Sequence, residues 1–292
     1  MAPTTAGAVA IYDPNGPAAV IAFLVFGGIA IALWTRYFRF GKPRPKFSLQ
    51  TIFGATFMAL GFICRISRRN GINAWSWLFE TLFILLSPCA FLAQIYGLVP
   101  RLATYMHEEE QLLVKGRALV ILFVMIDITL VIAQLAGTAL TITFGKLVPI
   151  GVKLTTAALW VQLAFFALYS CMTVAFFRRL NRLDRIQGAS FRWRNDPNAN
   201  KLFWLIVASS VCLTIRSIYR VAEYTSGASS ALAQSEPAFY ILDSVPMLIV
   251  ISSFLYVWPP VRLVRKDASP STSTSPSHLP SYGDSIAMRS NT

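Results

Sequence analysis

The sequence predicts an all-α fold: a seven-helix transmembrane bundle, with its amino terminus outside the cytosol and its carboxyl terminus inside it. Three observations carry this. Hydrophobic residues make up 55% of the 292 and charged residues 13%, with a mean hydropathy of +0.56, a composition outside the range of soluble globules. Seven apolar stretches each reach the length a bilayer core needs, ~20 residues with ~17 as the short limit. Lys and Arg are shared very unequally between the two sets of connections.

The predicted spans are Ala18 to Trp34, Ser48 to Ile66, Trp75 to Val99, Ala118 to Phe144, Ile150 to Phe177, Leu202 to Ala222 and Ala238 to Trp258. Residues 1–17 read as a short extracellular tail, 18–262 as the helical domain and 263–292 as a disordered cytosolic tail rich in Ser, Thr and Pro. The first apolar stretch is followed, not preceded, by positive charge, so it is expected to stay as a helix rather than be cleaved as a signal. Pro17 suits a first helical turn, where its missing N–H has no partner to lose. Pro88 and Pro246 lie deep in spans three and seven, where each is expected to bend its helix and free a carbonyl for a neighbouring helix.

Orientation follows from charge, because Lys and Arg near span ends resist translocation. The connections on the amino-terminal side hold four: Arg68, Arg69, Lys146 and Lys153. Those on the other side hold nineteen, in the runs 36–46, 101–117, 178–201 and 262–289. Topology therefore explains the formal net charge of +13, and nucleic acid is not an expected partner. Cys64, Cys89, Cys171 and Cys212 all fall inside apolar stretches and read as small packing residues.

Ionisable side chains inside spans are costly, ~2.5 to 3.5 kcal/mol each on insertion scales, and are expected to face the bundle interior. Arg216, Arg220 and Glu223 are offset by four and seven residues, which places them on one face of helix six. Asp243 in span seven, Glu80 in span three and Arg65 at the end of span two are expected at a similar depth. Asp127 sits near mid-membrane on helix four with Gln134 on the same face, extending a polar track toward the exterior. Glu80, Asp127, Gln134, Arg216, Arg220, Glu223 and Asp243 are thus the candidate pathway for a polar head group. Arg65, Pro88, Gly137, Tyr219 and Pro246 are candidate structural or gating residues.

From Tyr12 to about Arg262 the chain resembles the fungal lipid-translocating exporter family, seven-helix proteins named for resistance to an aminosterol. The resemblance lies in Tyr12 with Pro14; Gly61-Phe62-Ile63-Cys64-Arg65; Ser87-Pro88 and Tyr96; and Asp127 with Gln134 and Gly137. Its most specific part is Ile215-Arg216-Ser217-Ile218-Tyr219-Arg220-Val221-Ala222-Glu223-Tyr224, followed by Glu236-Pro237, Tyr240, Asp243, Pro246 and Met247. This resemblance implies a fungal plasma-membrane protein whose partners are membrane lipids or amphipathic small molecules. Sphingoid long-chain bases and toxic sterol-like compounds are the implied substrates, with porphyrin or haem linked to one branch.

Other classes fit less well. The receptor reading, a sensor signalling through a basic cytosolic loop at 178–201, lacks an acidic-arginine-aromatic triplet after span three and an Asn-Pro-x-x-Tyr in span seven. Span seven has no lysine for a retinal Schiff base. The two histidines, His107 and His278, are both expected in the cytosol, away from the span carboxylates. No metal site, cofactor or His-based catalytic triad is therefore expected, and the chain does not read as an enzyme. No phosphate-binding G-x-x-x-x-G-K-[ST] loop is present, so ATP is not its own driving force.

Overall fold

The computed structural model describes residues 16–39, 46–69, 74–143, 147–187, 193–227 and 230–264. Of the expected tails 1–17 and 263–292, residues 1–15 and 265–292 lie outside the described residues, while 16–17 and 263–264 are helical. Among the described residues, seven helical segments are long and apolar enough to cross a membrane. Six are α1 (Gly16–Arg39), α2 (Leu49–Arg69), α3 (Ala74–Tyr105), α4 (Gly116–Thr143), α5 (Val148–Gln187) and α6 (Pro197–Ser226). After the short α7 (Ala231–Gln234), the seventh span is a composite of α8 (Glu236–Phe239), a π-helical turn (Tyr240–Ser244) and α9 (Val245–Val257). A last short helix, α10 (Pro259–Val264), extends two residues past the expected domain boundary.

Helix α3 is the axis of the bundle. In its most apolar window 78% of residues are buried, against 22% for α1 and 28% for α4 and α5, whose outward Ile, Leu, Val and Trp side chains suit a hydrocarbon solvent. Small residues let neighbours close on this axis. A Cβ at Gly54 would meet the Phe91 ring at 2.9 Å and one at Gly61 would meet Ile84 Cγ1 at 2.9 Å, so α2 seats two α3 side chains one heptad apart. Ser87 donates to the Gly54 carbonyl between them, at 2.8 Å. On the opposite flank Tyr96, Phe123 and Tyr169 join α3, α4 and α5, and Tyr169 donates to the Ile95 carbonyl at 2.9 Å.

Two expectations require correction. The segment 178–201 is not a long loop, because α5 continues to Gln187 and α6 begins at Pro197. Leu180, fully buried, extends the apolar face of Phe176 by one turn, and Trp193 packs on Phe177 and Phe203. Asp196 caps α6 by accepting from the Asn198 N–H at 2.9 Å, and its other carboxylate oxygen accepts from Tyr105.

The seventh span is also not one regular helix bent at Pro246. Pro246 lacks the N–H an α-helix would aim at Leu242, and the preceding turn widens so that the Val245 N–H reaches back to the Tyr240 carbonyl. The irregularity therefore lies one turn before the proline.

Candidate functional site

The end of the bundle where α2 and α6 finish and α3 and the seventh span begin gathers the charged side chains. Arg65 on α2 meets Glu80 on α3 at 2.9 Å and Glu236 on α8 at 3.3 Å, while its guanidinium lies over the Phe239 ring at 4.5 Å. Arg216 on α6 meets Asp243 Oδ2 at 2.5 Å. Arg220 meets Glu223 at 2.9 Å and Asp243 at 3.7 Å. Arg65, Glu80, Arg216 and Asp243 are all buried.

Arg216 ties the two groups together through a backbone vacancy. Pro88 has no N–H to donate to the carbonyl four residues earlier, which is that of Ile84. Arg216 Nη2 donates to that carbonyl at 3.0 Å, and Nη1 donates to the Asp243 carbonyl at 3.2 Å. One guanidinium thus spans α3, α6 and the π-helical turn, using the planar donor fork that lysine lacks. Among the described residues the cluster joins Arg65, Arg216 and Arg220 to Glu80, Glu223, Glu236 and Asp243, so Glu236 joins the six anticipated from sequence.

Deeper in the bundle the chemistry changes from ionic to polar. Gln134 on α4 donates to Gln162 on α5 at 2.8 Å. Both line a cavity of about 30 Å³ with Arg216, Arg220, Pro88 and Leu92. That volume suits water and is too small for a lipid head group. Gln134 Oε1 is buried without a protein donor, as expected beside a hydrated space.

Asp127 stands apart from the ionic cluster. It is buried on α4 facing Tyr96 of α3, yet its Oδ2 and the Tyr96 hydroxyl each lack a partner in hydrogen-bond geometry. Gly137, three residues beyond Gln134, serves close packing instead. A Cβ there would collide with Thr155 Oγ1 and lie 2.8 Å from the Gly151 carbonyl, and Gly151 in turn abuts the Gly137 carbonyl. Tyr219 is buried on α6, and Pro246 opens α9 directly after the π-helical turn.

Sequence reasoning missed three participants. Glu236 lies two residues outside the expected start of span seven. Gln162 was unmarked on a long apolar stretch, although its spacing from Gln134 in an α4–α5 hairpin was available. Gly151, the partner of Gly137, was likewise legible only as a pair.

Seven apolar helices closing on a buried ionic cluster define a polytopic membrane protein with a polar interior at one end. The chain belongs to the RTA1-like protein family, whose model matches residues 51–267. It is 27% identical to Protein RTA1 of Saccharomyces cerevisiae over 215 residues, 73% of this chain and 66% of that one. It is 29% identical to Protoporphyrin uptake protein 1 of the same yeast over 203 residues, covering 69% and 65%. Similarity to the Probable lipid transporter atnI of Emericella nidulans runs over 282 residues at 23% identity, covering 91% of this chain and 71% of that one. The chain thus spans just under two thirds of the first two relatives. No solved structure matches it.

Proposed function

We propose that this protein is a membrane carrier that moves amphipathic molecules, with cationic sphingoid long-chain bases and sterol-like toxic compounds as its substrate class. The observation that carries this reading is the cluster of paired arginines and carboxylates held inside the bundle, where a cationic head group can take an arginine's place on its carboxylate. Relatives named as a lipid transporter and a porphyrin uptake protein support amphipathic cargo.

In this reading the amino terminus is outside the cytosol and the protein occupies the plasma membrane. The ionic cluster then lies in the outer half of the bilayer, and the arrangement seen is the closed one. A head group enters as Glu223 exchanges Arg220 for it, while the hydrophobic portion of the substrate stays against lipid. Glu223 and Glu236 have the more exposed side chains of the four carboxylates, and Glu223 is the first contact because its partner Arg220 lines the water-sized cavity.

The test is movement of a fluorescent long-chain base across liposomes containing the purified protein. Glu223→Gln, which leaves Arg220 with Asp243, is expected to lower transport of the cationic base and spare a neutral analogue of equal chain length. Equal rates for both probes in the variant and the parent would remove the head-group assignment.

A further inference from the structure

Asp127 differs from the other span carboxylates in having no cation. Helix α3 presents it with the Tyr96 hydroxyl and the Cys89 thiol, both uncharged partners. Helix α5 presents Tyr169 one turn away, its hydroxyl committed to the Ile95 carbonyl. On α6, Arg216 is committed to Asp243 and Ile84, and Arg220 to Glu223 and Asp243. Among the described residues no Lys, Arg or His forms an ion pair with Asp127.

A carboxylate sealed at 1% exposure without a cation is expensive, whereas the neutral acid needs only ordinary hydrogen bonds. Water is close at hand. Leu92 lines the water-sized cavity and is one helical turn, about 6 Å of rise, from Tyr96 on the same face of α3. Gln134 of that cavity is on the same face of α4 as Asp127, two turns away.

We infer that Asp127 is a proton-binding site that couples transport to the proton gradient across the membrane, with Tyr96 positioning its carboxyl group and Leu92 separating it from the hydrated cavity. This rests on the carrier reading above and names one energy source for it, the proton gradient. The step is a simple dissociation. The sealed acid gives its proton to cavity water when the bundle opens past Leu92, and the carboxylate takes one back from the opposite side before resealing. No electron moves and no covalent bond other than O–H is exchanged.

The experiment compares net transport with exchange in the same liposomes, using a fluorescent long-chain base as the probe. In the parent protein an imposed pH gradient is expected to change the net transport rate, and a protonophore to abolish that change. Asp127→Asn is expected to lose the gradient-driven component while still exchanging labelled for unlabelled base. Tyr96→Phe should shift the pH profile of net transport without abolishing it.

Gradient response retained by Asp127→Asn overturns the inference. So does loss of exchange in a variant of parental thermal stability, because Asp127 would then be a substrate ligand. A parent that moves the base indifferently to the gradient overturns the coupling and leaves the carrier reading standing. If the parent moves no base the carrier reading falls. The proton site is then decided by infrared difference spectroscopy, where a protonated-carboxyl band absent from Asp127→Asn supports it and an unchanged spectrum overturns it.

Discussion

Arg216 is the side chain on which the site's geometry most depends, because it answers a donor that Pro88 cannot supply. Removing it leaves Asp243 with only the longer contact to Arg220 and leaves the Ile84 carbonyl without its donor. Arg216→Ala is expected to cost about 3–5 kcal/mol, read as lost thermal stability in detergent. Arg216→Lys should recover little of it, since a single ammonium cannot reach all three acceptors. In a Pro88→Ala background the residue 88 N–H satisfies Ile84, so truncating Arg216 should cost about 1 kcal/mol less there, a coupling that a double-mutant cycle measures. Much of this was legible beforehand. The offsets of Arg216, Arg220 and Glu223 and the depth of Asp243 follow from helical periodicity alone. The Ile84 carbonyl was not singled out, because backbone acceptors are identical in a sequence until a proline four residues later marks one as vacant. Glu236 was missed for a different reason: hydropathy begins span seven after it, whereas the structure folds it back over Arg65.

At the level of elements, α4 and α5 meet at a glycine contact. Gly137 and Gly151 each abut the other's backbone, so neither position has room for a side chain. Gly151→Val is expected to destabilise by about 1–3 kcal/mol through overpacking, and to lower transport by separating Gln134 from Gln162. Size-exclusion behaviour and thermal unfolding report the first effect, and the liposome assay reports the second. Helix number, order and approximate ends were legible because each span is a long apolar run bounded by charge. The extension of α5 through Gln187 was not, because its arginines mimic a solvated connection. Only the spacing of Phe176 and Leu180 shows that the apolar face persists. The π-helical turn left no local signature beyond Pro246, which marks a missing donor without saying how the chain accommodates it.

Over the whole molecule, seven crossings together with the nineteen-to-four split of positive charge predict an amino end outside the cytosol and a carboxyl end inside it. A tag at the amino end is therefore expected to react with a membrane-impermeant reagent on intact cells, and a tag at the carboxyl end only after permeabilisation. The reverse labelling would move the ionic cluster to the cytosolic leaflet and turn the proposed direction of head-group capture around. Two connections of the central helix lie at opposite ends: at the ionic end α3 is tied by side chains to α2 and α6, while at the far end Tyr105 is tied to the Asp196 cap of α6. Loss of the ion pairs at one end would leave α3 and α6 joined at the other through Tyr105 and Asp196.

The widened turn at Tyr240–Ser244 has a genealogical side. It holds one residue more than a regular coil of the same rise, so a cousin of this chain with one amino acid fewer between Glu236 and Pro246 would keep both flanks in phase. Such a gap is the mark an ancestral insertion would leave. Asp243 would then owe its inward aim to a duplicated step in the chain rather than to the substitution that made it acidic.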